Sequence, residues 1–139
     1  MGIYAPNPTS LENGRDNRYA YVRPLATIEP LAIWAGLPVN IDWAMTDIGP
    51  LATQILDAPP GTYVVAWEHH WAISLTKLLL TRLGANPDEV PNWEDYDFDS
   101  MFVIHTNGTD KDSGDVTFMH EHQGLNGMTE SCSDGSRRP

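Results

Sequence analysis

Apolar residues fall into short runs separated by clusters of Pro, Gly and Asn, and their periods predict strands alternating with helices. Gly2-Ile3-Tyr4-Ala5 runs into Pro6-Asn7-Pro8, the pattern of a strand ended by a turn. A polar loop through Asn13, Gly14, Arg15 and Asp16 follows. The stretch 19–23 then leads into Pro24, whose fixed φ and missing N–H suit the first turn of a helix. Leu25, Ile28, Leu31, Ala32 and Trp34 recur at helical spacing, with Pro30 expected to kink or shorten the helix and Gly36 to stop it. Leu37-Pro38-Val39-Asn40 reads as extended, and a second, shorter helix is predicted over 48–56, before the Pro59-Pro60-Gly61 turn.

Tyr63-Val64-Val65-Ala66-Trp67 is apolar and partly β-branched, the composition of a strand buried on both faces, as in parallel sheets. Glu68-His69-His70 follows, then an amphipathic segment whose Ile73, Leu75, Leu78, Leu79 and Leu83 make a wide apolar face ending at Gly84. Residues 86–99 form a Pro- and acid-rich loop holding Pro91, Trp93 and Tyr96. A strand over 100–106, with Met101, Val103 and His105 on one face, is expected to pair as a hairpin with 116–122. The order strand, helix, strand, helix predicts an α/β fold. Residues 1–123 are read as one domain and 124–139 as a polar, loosely ordered tail.

A chain of 139 residues with 41% apolar positions and five Trp buries a real core. The formal charge of −11, with only eight Lys and Arg, argues against a nucleic-acid surface, which needs clustered cations. The single cysteine, Cys132, cannot close an internal disulfide and leaves the redox compartment open. No apolar run is long enough to span a bilayer, and residues 1–8 lack the basic and apolar regions of a signal peptide.

Two places carry candidate chemistry, both where an open α/β sheet puts its site, at the ends of strands. Arg23 begins a helix, where a guanidinium fork and the positive helix end suit a phosphate. His69 follows a strand at the mouth of a turn, with Glu68 beside it as a proton donor or acceptor. Taken singly, both are more often surface or hydrogen-bonded structural groups. A metal site at Glu68-His69-His70 is not expected, because adjacent side chains diverge in direction. His120 and His122 share a strand face, with His105 opposite, and need a third ligand before they hold a metal. Asn107-Gly108-Thr109 has the form of a glycosylation sequon. No cofactor is expected.

The order of these blocks resembles the histidine phosphatase superfamily, also called phosphoglycerate-mutase-like. Arg23, Thr27 and Ala32 look like that family's arginine, three residues, threonine pattern, with Ile3-Tyr4-Ala5-Pro6 as the preceding strand. Val64-Val65-Ala66-Trp67-Glu68-His69 is similar to the strand that ends in the family's second site histidine. Val90-Pro91-Asn92-Trp93, Asp97-Phe98-Asp99-Ser100 and Gln123-Gly124-Leu125-Asn126 look like one branch of it. The resemblance implies a three-layer sheet with helices on both faces, and a phosphomonoester hydrolase working through a phosphohistidine. Arg23 and His69 become phosphate contacts, and Glu68 or Asp47 the proton carrier. The family's nucleophile lies in an Arg-His-Gly motif, and these 139 residues contain none. The expectation is therefore an incomplete domain lacking the family's first strand, inactive alone. It takes phosphate or a phosphorylated small molecule as ligand, and a strand from another chain as partner. The alternative is a non-catalytic module that binds phosphate, another anion or a protein.

Overall fold

The computed structural model describes residues 1–13, 18–107 and 115–128. Strand β1 (Gly2–Tyr4) is the centre of a small parallel arrangement. On one edge it pairs in parallel with β4 (Tyr63–Val65), in the register Gly2 to Tyr63, Ile3 to Val64 and Tyr4 to Val65. On the other edge Tyr4 forms a parallel bridge to Asn40, whose N–H donates to the Ile3 carbonyl at 2.8 Å and whose carbonyl accepts from Ala5 N–H at 3.0 Å. Between β1 and α1 lies an antiparallel pair, β2 (Leu11–Asn13) and β3 (Arg18–Ala20), on either side of the expected polar loop, whose Gly14, Arg15 and Asp16 lie outside the described residues.

Side chains alternate across the parallel arrangement, and each face has its own core. Ile3, Ala5, Val64 and Ala66 pack with Ile28 and Ala32 of α1 (Arg23–Ala35). Tyr4, Tyr63, Val65 and Trp67 pack with Leu51 and Ala52 of α2 (Ile48–Asp57) and Leu75 of α3 (His69–Arg82). The fold is thus mixed α/β, with helices against both faces of the parallel strands.

Pro30 neither ends nor shortens α1, which runs to Ala35 and closes on Gly36 in the left-handed conformation at φ 64°. Trp34, expected on the apolar face, is 83% exposed, because the packed stripe of α1 runs through Pro24, Ile28 and Ala32. Tyr63, Val64 and Val65 are only half-buried, although side chains pack against both faces of β4. The reason is that β4 pairs with β1 on one side, and no other described strand borders it.

A 3₁₀ turn (Pro87–Glu89) leads to the second unit, the hairpin of β5 (Ser100–Thr106) and β6 (Val116–His122), paired from Ser100 with His122 to Thr106 with Val116. Met101, Val103 and His105 share one face of β5, as expected, and the aromatic contacts lie on the other. Phe102 meets Trp93 at 4.9 Å, Phe118 at 5.6 Å and His120 at 5.3 Å between ring centroids, so the aromatic side wins the contact. At the base of the hairpin Gln123 N–H donates to the Asp99 carbonyl, Leu125 N–H to the Asp99 carboxylate, and the Asn126 amide to Asp97. Gly108, Thr109 and Cys132, with the remainder of the expected tail, lie outside the described residues.

Candidate functional site

Because β1, the Asn40 bridge and β4 are parallel, the connections between them carry the chain from the end of one strand back to the start of the next. From β1 the chain goes to the α1 face, and from β4 to the opposite, α3 face. Winding therefore reverses between two neighbouring strands, and a reversal of this kind opens a crevice outside the strands' carboxyl ends. Loops from three segments meet there. Asn7 N–H donates to the Trp43 carbonyl at 2.7 Å, and the Trp67 indole donates to the Met45 carbonyl at 2.8 Å.

Glu68 is the first residue past this edge, and it caps α3. Its backbone is extended, at φ −69° and ψ 137°, so the side chain folds back over the first helical turn and Oε2 accepts from Trp71 N–H at 3.2 Å. That contact turns Oε1 toward two imidazoles: His69 Nδ1 lies 2.8 Å from it and His70 Nδ1 3.0 Å. The rings of His69 and His70 stand 4.0 Å apart between centroids, tilted by 40°. Desolvation by burial pushes the Glu68 carboxyl up, but the bonds from the His70 side chain and the Trp71 and His70 N–H groups, with the nearby His69, outweigh it and leave the pKa below its usual value. His69 Nε2 faces Asp95 Oδ1 at 2.9 Å. A neutral imidazole donates through one nitrogen only. With a carboxylate oxygen against each ring nitrogen, His69 is fully satisfied only when a second proton, or a cation in its place, sits between it and one of them. Beside His70 a cleft of about 380 Å³ is lined by Ile73, Asn92, Trp93, Glu94 and Asp95.

Arg23 begins α1 on the other face of the sheet. It is exposed, and its guanidinium lies over the Tyr21 ring, 5.2 Å from the centroid. The pairing of Glu68, His69 and His70 is direct, whereas Arg23 and His69 stand at the starts of helices packed on opposite faces of the parallel strands. Asp47, the other expected proton carrier, spends Oδ2 on Ala44 N–H at 3.1 Å and holds the turn before α2.

A second polar cluster at the root of the hairpin was not expected as a unit. Asp97 Oδ1 accepts from Asp99 N–H at 2.9 Å, Ser100 N–H at 3.2 Å and the Asn126 amide at 3.1 Å, while Oδ2 accepts from the Ser100 hydroxyl at 2.5 Å. The Ser100 hydroxyl bond, the largest effect, and the bonds from Asp99, Asn126 and Ser100 N–H groups outweigh desolvation and hold the Asp97 carboxyl down at about 2. Ser100 Oγ also lies 2.7 Å from His120 Nε2, the spacing of a nucleophile and its base. The proton bookkeeping points elsewhere. An ionised Asp97 can only accept, so the hydroxyl donates to it and accepts from His120, and Ser100 is buried at 4% exposure. This is a structural knot, with Asp97-x-Asp99-Ser100 as its turn-forming signal in the sequence. His120 and His122 do share a face, their rings 4.5 Å apart, with Asp99 Oδ2 3.5 Å from His122 Nδ1.

Comparison of the chain with protein-family models, curated proteins and solved structures finds no match. No described helix is long and apolar enough to cross a membrane.

Proposed function

We propose that this chain binds a phosphate monoester, or a comparable small oxyanion, in the crevice outside the carboxyl ends of β1 and β4, without hydrolysing it unaided. The observation that carries the reading is the reversal of winding between those two strands, with α1 and α3 packed on opposite faces, the arrangement in which open α/β sheets commonly hold ligands outside the strands' carboxyl ends. Helix starts carry a partial positive charge suited to an oxyanion, at α1 without a side-chain cap and at α3 beside the Glu68 carboxylate that already takes the Trp71 N–H. Arg23 adds a planar pair of donors at one start, and His69 a ring nitrogen at the other once the ligand displaces the exposed Asp95 carboxylate from Nε2. The resemblance to the histidine phosphatase superfamily rests on the same two residues, with Thr27 one turn beyond Arg23. In that reading the strands, α1 and α3 correspond to part of the family's layered sheet, and Glu68 is the proton carrier. Covalent turnover needs a phosphoryl-accepting histidine in Arg-His-Gly, which this sequence does not contain, so binding is what its residues support.

Calorimetric titration with inorganic phosphate and with phenyl phosphate tests this. Saturable binding is expected, at least tenfold weaker in Arg23→Ala and in His69→Ala, with no release of phosphate over time. Affinity unchanged in both variants would overturn the reading. A second reading, acceptance of a strand from another chain, is favoured by the one-sided pairing of β4. Thr62 and Ala66 bond to β1, so Val65 presents its N–H to the free edge, and the check is whether a Val65→Pro variant abolishes capture of such a strand peptide.

A further inference from the structure

We propose that Glu68, His69 and His70 bind one divalent transition-metal ion of the zinc type, with Asp95 as the positioning residue for His69. One donor atom from each of the three lies within 4.8 Å of the others. Adjacent residues on a helix normally point about 100° apart and do not chelate together. Here the obstacle is removed by the cap. Glu68 is not helical, its Oε2 is fixed by Trp71 N–H, and both imidazoles turn Nδ1 back onto the remaining Oε1.

The dimensions suit the ion. Zinc bonds of about 2.0–2.2 Å in a tetrahedron place donor atoms about 3.3 Å from one another. The separations of 2.8 and 3.0 Å from Glu68 Oε1 need to open by only a few tenths of an ångström, and the His70 side chain, 69% exposed, has room to move. His69 meets the second requirement of a metal-bound imidazole: its far nitrogen donates to a carboxylate, Asp95 at 2.9 Å, which fixes Nδ1 as the free lone pair. Two imidazoles and one carboxylate form the donor set of an open zinc site, with a fourth position left for water or a ligand. The start of α3 opposes a cation with about half a positive charge, which the full charge of Glu68 more than offsets. The other histidine pair is a poorer site, because His120 Nε2 is already engaged by Ser100.

The metal site shares His69 with the phosphate reading but does not depend on it. A dication here also removes the repulsion that Glu68, Glu94 and Asp95 exert on an oxyanion at the same edge. The test is a titration of the full chain with Co²⁺, read by the visible bands of tetrahedral cobalt, followed by displacement with Zn²⁺, with far-ultraviolet circular dichroism as the check on folding. One equivalent is expected. His70→Ala and Glu68→Gln should weaken it at least tenfold, Asp95→Asn roughly tenfold, and His122→Ala and Cys132→Ser not at all. Absence of cobalt bands in the parent chain, binding that survives a folded His69→Ala/His70→Ala double variant, or binding lost in His122→Ala or Cys132→Ser would each overturn the proposal. Phosphate affinity in Arg23→Ala reports on the other reading separately.

Discussion

Asp97 organises the base of the β5–β6 hairpin, and acid is the perturbation that isolates it. Its carboxyl is pushed down from 3.8 to about 2 by the Ser100 hydroxyl and its other donors. At pH 3, roughly one folded chain in eleven carries a proton on Asp97, against roughly six in seven at the unperturbed value. The unfolded chain therefore binds more protons throughout this window. The Asp97 contribution to stability is complete above about 3.8 and is lost as the pH falls through about 2. Carboxyl-detected NMR titration reads the midpoint directly.

Asp97→Asn supplies the matching perturbation at neutral pH. The amide oxygen keeps the Oδ1 bonds to Asp99 and Ser100 N–H groups, but the amide nitrogen in place of Oδ2 meets the Ser100 hydroxyl as a donor. That hydroxyl must then turn its proton toward His120. One charge-assisted bond is lost and the rest survive, which costs about 1–2 kcal/mol. For a chain of this size the melting temperature should fall by roughly 3–8 °C. An Asp97 midpoint near 4, or an Asp97→Asn variant that melts with the parent chain, would refute the assignment of this carboxylate as the anchor of the hairpin.

Leu51→Ala should destabilise the domain by about 3–5 kcal/mol in denaturant titration, because Leu51 is 0% exposed among Tyr4, Ala52 and Leu75, which are themselves buried and cannot fill the void. Trp34→Ser should change stability by less than about 0.5 kcal/mol by the same assay, since the ring is solvated. Gly36→Ala should cost about 1–2 kcal/mol through the left-handed backbone alone, because an added Cβ there meets nothing within 4 Å. Glu68→Ala should lower thermal stability by about 1 kcal/mol through loss of the α3 cap, and Glu68→Gln by less. The Glu68 contribution is present above its unperturbed pKa of 4.5 and disappears as the pH drops below it, so the difference between Glu68→Ala and the parent should shrink in acid.

Much of the fold was legible from local chemistry. Pro24 at the first turn and Gly36 in the left-handed conformation bracket α1 where proline geometry and glycine freedom require. The period of the leucines predicts α3, and the apolar run before Glu68 predicts β4, because both signals come from residues a few positions apart. The sequence also drew attention to Arg23, Glu68 and His69 as the groups next to strand and helix ends.

Tertiary structure decided which of two amphipathic stripes faces inward and which donor atoms converge. Trp34 has the spacing of a core residue, yet only the sheet determines that Ile28 and Ala32 take that face. Phe102 rather than Met101 packs inward because Trp93 and Phe118 arrive from distant segments. The Glu68-His69-His70 cluster was dismissed from sequence on the divergence of adjacent helical side chains, a rule that holds inside a helix. It fails here because Glu68 stands outside the helix as its cap, and because Asp95, 26 residues away in the chain, takes the far nitrogen of His69. Spacing along a chain determines direction within one element; convergence between elements depends on how they pack.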